Sequence, residues 1–254
     1  MSTIRVNILE SSTGGAINIP SGNSIELGDS GLSLSENSLP PQPSTGNGQY
    51  LYSDGSSTPS FNLPGPKSIQ TFTQSGTWNK PSGISKILVR LVGGGGGGSG
   101  HGESAGAGGY SEKLIDVANI SQVSVTVGNG SQSGTYYSGN GGSGQTTSFG
   151  SYLSASGGLG ANQSHQHCGG LPGLGSGGDL NLYGGGGTGH YGYTGVGGAS
   201  HFGGQGATGH PQGGNYSHNH QTHAAPGAGG GSGWRSSYQG AHGSNGIVVI
   251  YEYA

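Results

Sequence analysis

Two histidine pairs offer the plainest chemistry in this 254-residue chain. His165 and His167, and again His218 and His220, stand two residues apart. On an extended chain such a pair shares one face, a spacing that transition metals accept. His223 and Cys168 could add ligands. The same histidines also read as polar loop residues that titrate near neutral pH and hydrogen-bond where they sit. No carboxylate lies near either pair to orient an imidazole, so neither a metal nor any other cofactor is expected.

Ring-bearing residues recur in short groups. They are Tyr136 and Tyr137, His165 and His167, His190 with Tyr191 and Tyr193, His201 and Phe202, Tyr216 with His218 and His220, and Trp234 with Arg235 and Tyr238. Such rings stack on the apolar faces of sugars and protein loops, and the amides and hydroxyls between them supply adaptable hydrogen bonds. The plainer alternative is that they form only the hydrophobic skin of a scaffold.

Catalysis finds little support. Between residues 93 and 246 the carboxylates are Glu103, Glu112, Asp116 and Asp179, and nothing sets two of them across a cleft as glycoside hydrolysis requires. Gly-x-Gly spacings never join a strand to a predicted helix, so phosphate binding is not expected. Serines and histidines abound without a nucleophile elbow. The chain is therefore expected not to be an enzyme. A formal charge of −3 provides no basic field for nucleic acid. The start, MSTIRVNILE, lacks the apolar stretch of a signal peptide, and no run suits membrane insertion, so synthesis in a cytosol is expected. One cysteine excludes an intrachain disulfide framework.

What could hold these groups in place is glycine. Of 62 glycines, 51 lie between Gly93 and Gly246, beginning with six in a row at Gly93–Gly98. Collagen would need a strict Gly-X-Y period and abundant proline, whereas this tract is irregular and contains only Pro172, Pro211 and Pro226. A flexible linker would not be interrupted by rings or flanked by strands. The remaining reading is a packed bundle of polyglycine-II-type extended helices with three residues per turn and no internal hydrogen bonds. Every N–H and C=O must then find a neighbouring segment, which is possible only where side chains are nearly absent.

Such a bundle needs a clamp, because glycine loses the most backbone entropy on ordering. Apolar residues make up 28 % of the chain and charged residues 7 %, too little for a conventional core of this size. The apolar residues collect in a few alternating stretches: Thr3 to Leu9, Lys86 to Val92 with Ile87, Val89 and Leu91 on one face, Tyr110 to Ile115, Ser121 to Val127 with its valines inward, Thr146 to Ser154, and Ile247 to Tyr253. Ser75-Gly76 reads as a turn between Phe72 and Trp78. No segment has a helical period. The expected fold is all-β with little or no helix: a small β-sandwich core of five or six strands, plus the glycine bundle with its segments joined by loops at the far end. Pro64-Gly65-Pro66 marks a boundary between residues 1–65, an extended attachment and oligomerisation segment, and residues 66–254.

One combination of motifs is specific. A strand ends in the turn Trp78-x-Lys80-Pro81-x-Gly83, and a second runs through Leu91-Val92 into Gly93–Gly98. Gly106-Ala107-Gly108-Gly109-Tyr110 returns to strand, Thr126-Val127-Gly128-Asn129-Gly130 turns, and Gly246 to Tyr251 closes the chain. This resembles the glycine-rich domain of bacteriophage tail fibres, and in plan it is similar to the receptor-binding adhesins that tip the long tail fibres of T-even-like phages. The resemblance covers residues 68–254. It implies a virion protein assembled in the host cytoplasm whose far-end loops bind a host cell-surface glycan or outer-membrane protein. Residues 1–65 would join other virion tail or fibre proteins, with a homotrimer as the expected assembly. The alternative is a purely structural fibre or decoration protein.

Overall fold

The computed structural model describes residues 65–100, 102–134, 139–162, 168–189, 195–204, 225–233 and 239–254, together with the backbone of two short strands nearer the N-terminus. The chain divides into two units, Met1–Leu63 and Pro64–Ala254. In the first, β1 (Tyr50–Tyr52) and β2 (Ser60–Asn62) pair antiparallel. The strand expected over Thr3 to Leu9 lies outside the described residues.

Two antiparallel five-stranded sheets build the second unit, and no helix occurs among the described residues. One sheet has the order β11 (Leu180–Leu182), β6 (Tyr110–Asp116), β5 (Lys86–Val92), β12 (Ile247–Tyr253) and β3 (Ser68–Phe72). The other runs β10 (Gly175–Ser176), β9 (Leu153–Ala155), β8 (Thr147–Phe149), β7 (Gln122–Thr126) and β4 (Gly76–Asn79). Alternation decides which side of each strand is buried. Ile87, Val89 and Leu91 of β5 pack with Val248 and Ile250 of β12, and against Val123, Val125, Phe149 and Leu153 of the opposite sheet. Trp78, fully buried, sits 5.9 Å from Phe149 between ring centroids. Its indole Nε1 donates to the buried carboxylate of Glu252 at 2.7 Å, which Gln70 and Ser68 also satisfy. A charge inside the core is tolerable only with such partners.

Three sequence expectations change here. The stretch Thr146 to Ser154 is a hairpin of β8 and β9, with the chain turning at Gly150, where φ is +51°. Gly76 opens strand β4. The sandwich also has ten strands: besides the split of Thr146 to Ser154, it adds β3 and β4, and β10 and β11, which are too short and too polar or exposed to carry a readable alternation.

The glycine bundle grows out of the sandwich. N–H groups of Gly93 and Gly96 donate to the carbonyls of Gly109 and Gly106, those of Gly94 and Gly97 to Gln145 and Gly142, and those of Gly95 and Gly98 to Ser244 and Ala241, all at 2.8–3.0 Å. Successive donors thus point to three different neighbours and return to the first after three residues, the signature of a three-fold helix. Each of these neighbours runs antiparallel. Carbonyls of the same segment accept from residues 131–134, 158–161 and 230–233, all running parallel. Residues 93–98 therefore have six neighbours, and so do residues 104–109, which adjoin them.

Around these two interior segments the remaining eight form a closed, hydrogen-bonded ring in the order 128–134, 139–145, 156–162, 168–174, 184–189, 195–199, 225–233 and 239–246. Segments 156–162 and 225–233 touch both interior ones. Eight of the ten segments continue directly from, or into, a sandwich strand. The sheets thereby set the spacing of the lattice at one end. Close approach leaves no room for side chains in the first interior segment: a methyl placed on Gly95 or Gly97 would overlap the carbonyls of Ala228 or Gln132.

Candidate functional site

The lattice has a sheet end and a far end, and the chain topology decides which residues reach each. Interior segments 93–98 and 104–109 are joined at the far end by a tight turn. There the Ser99 N–H donates to the Glu103 carbonyl at 3.0 Å, and Ser99 Oγ donates to Glu103 Oε2 at 2.9 Å. Glu103 is buried. Four further crossings leave and re-enter at the same end: between Gly134 and Gly139, Asn162 and Cys168, Gly189 and Gly195, and Gly233 and Gln239. Their residues lie outside the described set, and with them Tyr136, Tyr137, His165, His167, His190, Tyr191, Tyr193, Trp234, Arg235 and Tyr238. The segments that anchor them are neighbours in the ring.

Residues 205–224 also lie outside the described set, and the residues on either side of them stand at the opposite end. Gly204 and Ala225, which bracket them, adjoin each other, and Gly227 lies against Val92 at the start of the lattice. Tyr216, His218 and His220 fall between Gly204 and Ala225 in the chain, outside the described residues. The expectation that the lattice presents its ring-bearing interruptions from one far end does not hold for His201 and Phe202, which stand at the sheet end. The cause is chain direction: segment 195–199 descends to the sheets, and 225–233 starts from them.

His201 and Phe202 are the two expected recognition residues that are described, and they too stand at the sheet end. The turn Ser200–Gly203 lays the His201 imidazole on the Tyr110 ring, with centroids 3.6 Å apart and planes 20° from parallel. Phe202 meets Tyr110 edge-on at 6.0 Å, and the Arg90 guanidinium lies 5.7 Å from the Phe202 centroid. Beneath, Arg90 Nε donates to Tyr110 Oη and pairs with Glu112 Oε2, each at 2.8 Å, while Tyr110 Oη donates to the same carboxylate. Arg90 and Glu112 face each other across β5 and β6.

These contacts displace proton affinities. Burial, helped by the hydrogen bond to Glu112, pushes the Tyr110 phenol up to about 12. Burial and then the Arg90 charge hold the His201 imidazole below its ordinary value, with Glu112 opposing. Arg90 is raised, chiefly by its hydrogen bond to Tyr110. The cluster is a stacked clasp on the sheet surface. Arg90 and Glu112 could have been found in the sequence as outward positions of two adjacent strands, but their aromatic cover comes from a turn about 90 residues away, beyond any periodic signal.

Polar side chains on the ring segments, and Thr147 at the start of β8, have a different task. Ser143 Oγ accepts from the N–H of Gly160, Thr147 Oγ1 from Gly128, Asn245 Oδ1 from Gly130, and His242 Nδ1 from Ser133. They satisfy donors of ring segments, which have fewer than the six neighbours of an interior segment. The skin of the lattice is thus partly polar, which a reading of rings alone misses. Among the described residues no three His, Cys, Asp or Glu side chains gather as metal ligands. The paired histidines, His165 with His167 and His218 with His220, fall outside that set.

An all-β sandwich clamping a glycine lattice defines a scaffold class rather than an activity. Residues 70–253 match the family model described as a glycine-rich domain, and the chain belongs to that family. No curated protein matches the chain.

Proposed function

We propose that the protein is a fibre-tip adhesin of a bacteriophage that binds a host-surface receptor through its far-end loops, without catalysis. The observation that carries this reading is that the described segment ends flanking four ring-bearing interruptions all lie at the same end of the lattice. Their sequences, TYYS, QSHQH, HYGYT and WRSSY, hold six tyrosine or tryptophan rings and three histidines, with Arg235 as the only Lys, Arg, Asp or Glu. Nearly uncharged surfaces rich in tyrosine, serine and histidine suit a glycan or an outer-membrane protein loop. The resemblance to tail-fibre tip adhesins points the same way. Residues 1–65 would attach the protein to the particle, and several copies would turn weak single contacts into high avidity.

Exchanging residues 163–167 and 234–238 for glycine-serine loops tests this. Adsorption of particles carrying the variant is expected to fall at least tenfold while the thermal unfolding midpoint of the protein stays within a few degrees. Unchanged adsorption and host range would leave a purely structural fibre role in its place.

A further inference from the structure

A groove of about 480 Å³ runs along the flank of the lattice between segments 128–134 and 239–246, from Thr73 and Ile247 at the sheets to Gln132 and His242. Thr73, Gln132, Pro226, His242, Asn245 and Ile247 line it, together with Ser131, Ser244 and the glycines at 130, 243 and 246. Its volume falls within the roughly 300–1,000 Å³ of small-molecule sites. No Asp, Glu, Lys or Arg is among the described residues that line it.

The polar groups of the groove are fixed in role. Asn245 Oδ1 is committed as acceptor to the Gly130 N–H at 2.8 Å, which leaves the Asn245 Nδ2 protons for the groove. His242 Nδ1 is committed as acceptor to the Ser133 N–H at 2.8 Å, so the neutral ring carries its proton on Nε2. The two side chains are three residues apart, one turn of the lattice helix, or about 9.3 Å along its axis. Backbone N–H groups of His242 and Asn245 have no partner among the described residues. The wall thus offers a row of neutral donors held by the backbone, beside apolar surface from Ile247, Pro226 and glycine methylenes.

We propose that this groove is a second binding site, for a small neutral saccharide. Hydroxyl and acetamido oxygens would accept from Asn245 and His242, and the C–H face of the ring would lie on the glycine methylenes and Ile247. A neutral donor row favours a ligand with many acceptors and no charge, because an ionic ligand would be desolvated without a counter-charge.

The test uses the full-length protein and a panel of neutral mono- and disaccharides, N-acetylated ones included, read by saturation-transfer NMR and titration. Binding by at least one of them, with Kd in the millimolar range or tighter, is expected. Asn245→Asp keeps the acceptor for Gly130 but replaces the donor with a negative charge, and is expected to weaken that sugar at least tenfold. Gln132→Trp, which alters an exposed side chain and fills the groove, should abolish binding while leaving thermal unfolding unchanged. The variant with exchanged far-end loops should bind the sugar as before. The site is overturned if no neutral saccharide binds, if both groove variants bind like the wild type, or if only acidic sugars or proline-rich peptides bind.

Discussion

The sandwich and the glycine lattice are continuous in chain yet held by opposite means. In the sandwich, stability comes from side chains: Trp78, Ile87, Leu91, Phe149 and Ile250 are removed from water, and each large aliphatic or aromatic group contributes about 1.5–3 kcal/mol. In the interior of the lattice, backbone bonds to backbone in all directions, and residues 93–98 have no side chain at all. The first region can trade one methyl for another with local repacking. Residues 93–98 have no slack, since a single Cβ there meets a neighbour's carbonyl, whereas the second interior segment holds Ala105 and Ala107 fully buried. A protein can thus order a tract that is one-third glycine when a small apolar core fixes the ends of its segments.

The largest effect should separate interior from ring. Gly97→Ala is expected to destabilise by more than about 4 kcal/mol or prevent folding, because the added methyl overlaps the Gln132 carbonyl. Gly186→Ala places its methyl 4.0 Å from the nearest atoms and is expected to be neutral, or stabilising by about 0.4–1 kcal/mol through the unfolded chain. Chemical denaturation of the two variants checks both values, and equal losses would break the contrast.

A smaller effect tests the sandwich. Trp78→Phe keeps a ring in the core but removes the indole donor to Glu252, and a loss of about 1–3 kcal/mol is expected from the under-satisfied carboxylate. Pairing the change with Glu252→Gln should recover part of the loss in the same denaturation measurement, since the buried charge is then gone.

The smallest concerns the clasp where the two regions meet. Because the folded His201 titrates below its ordinary value, its contact contributes fully above about pH 6.5, and that contribution is lost as the pH falls, the unfolded chain taking its proton first. NMR of the His201 and Tyr110 rings should show the stack loosening on acidification, with the sandwich and lattice resonances unmoved. A stack unchanged down to pH 4 would sink this account.

Most of the sandwich was legible because burial imposes a period of two on β5, β7 and β12, and the valines and isoleucines carry it. The existence of a glycine lattice was legible from composition and from the strands at either side. Its neighbour map was not, since glycine carries no side chain to record which segment lies beside which. For the same reason the sequence gives no sign that Gly204 and Ala225 meet at the sheet end while Asn162 and Cys168 stand at the other. The clasp of Arg90, Tyr110, Glu112 and His201 depends on that same hidden map.

The three-residue repeat also sets what kinds of change the chain can absorb. Inserting one residue within 93–98 would turn every following N–H by about 120° and aim it at the wrong neighbour, so the mismatch would spread along the segment. An insertion between Asn162 and Cys168, or between Gly233 and Gln239, turns nothing, because both flanking segments keep their phase. Length variation is therefore confined to the crossings, while the segments between them can grow only by whole turns and only in company. The lattice works as a ratchet on heredity: it holds its own register and leaves the crossings free to be rewritten.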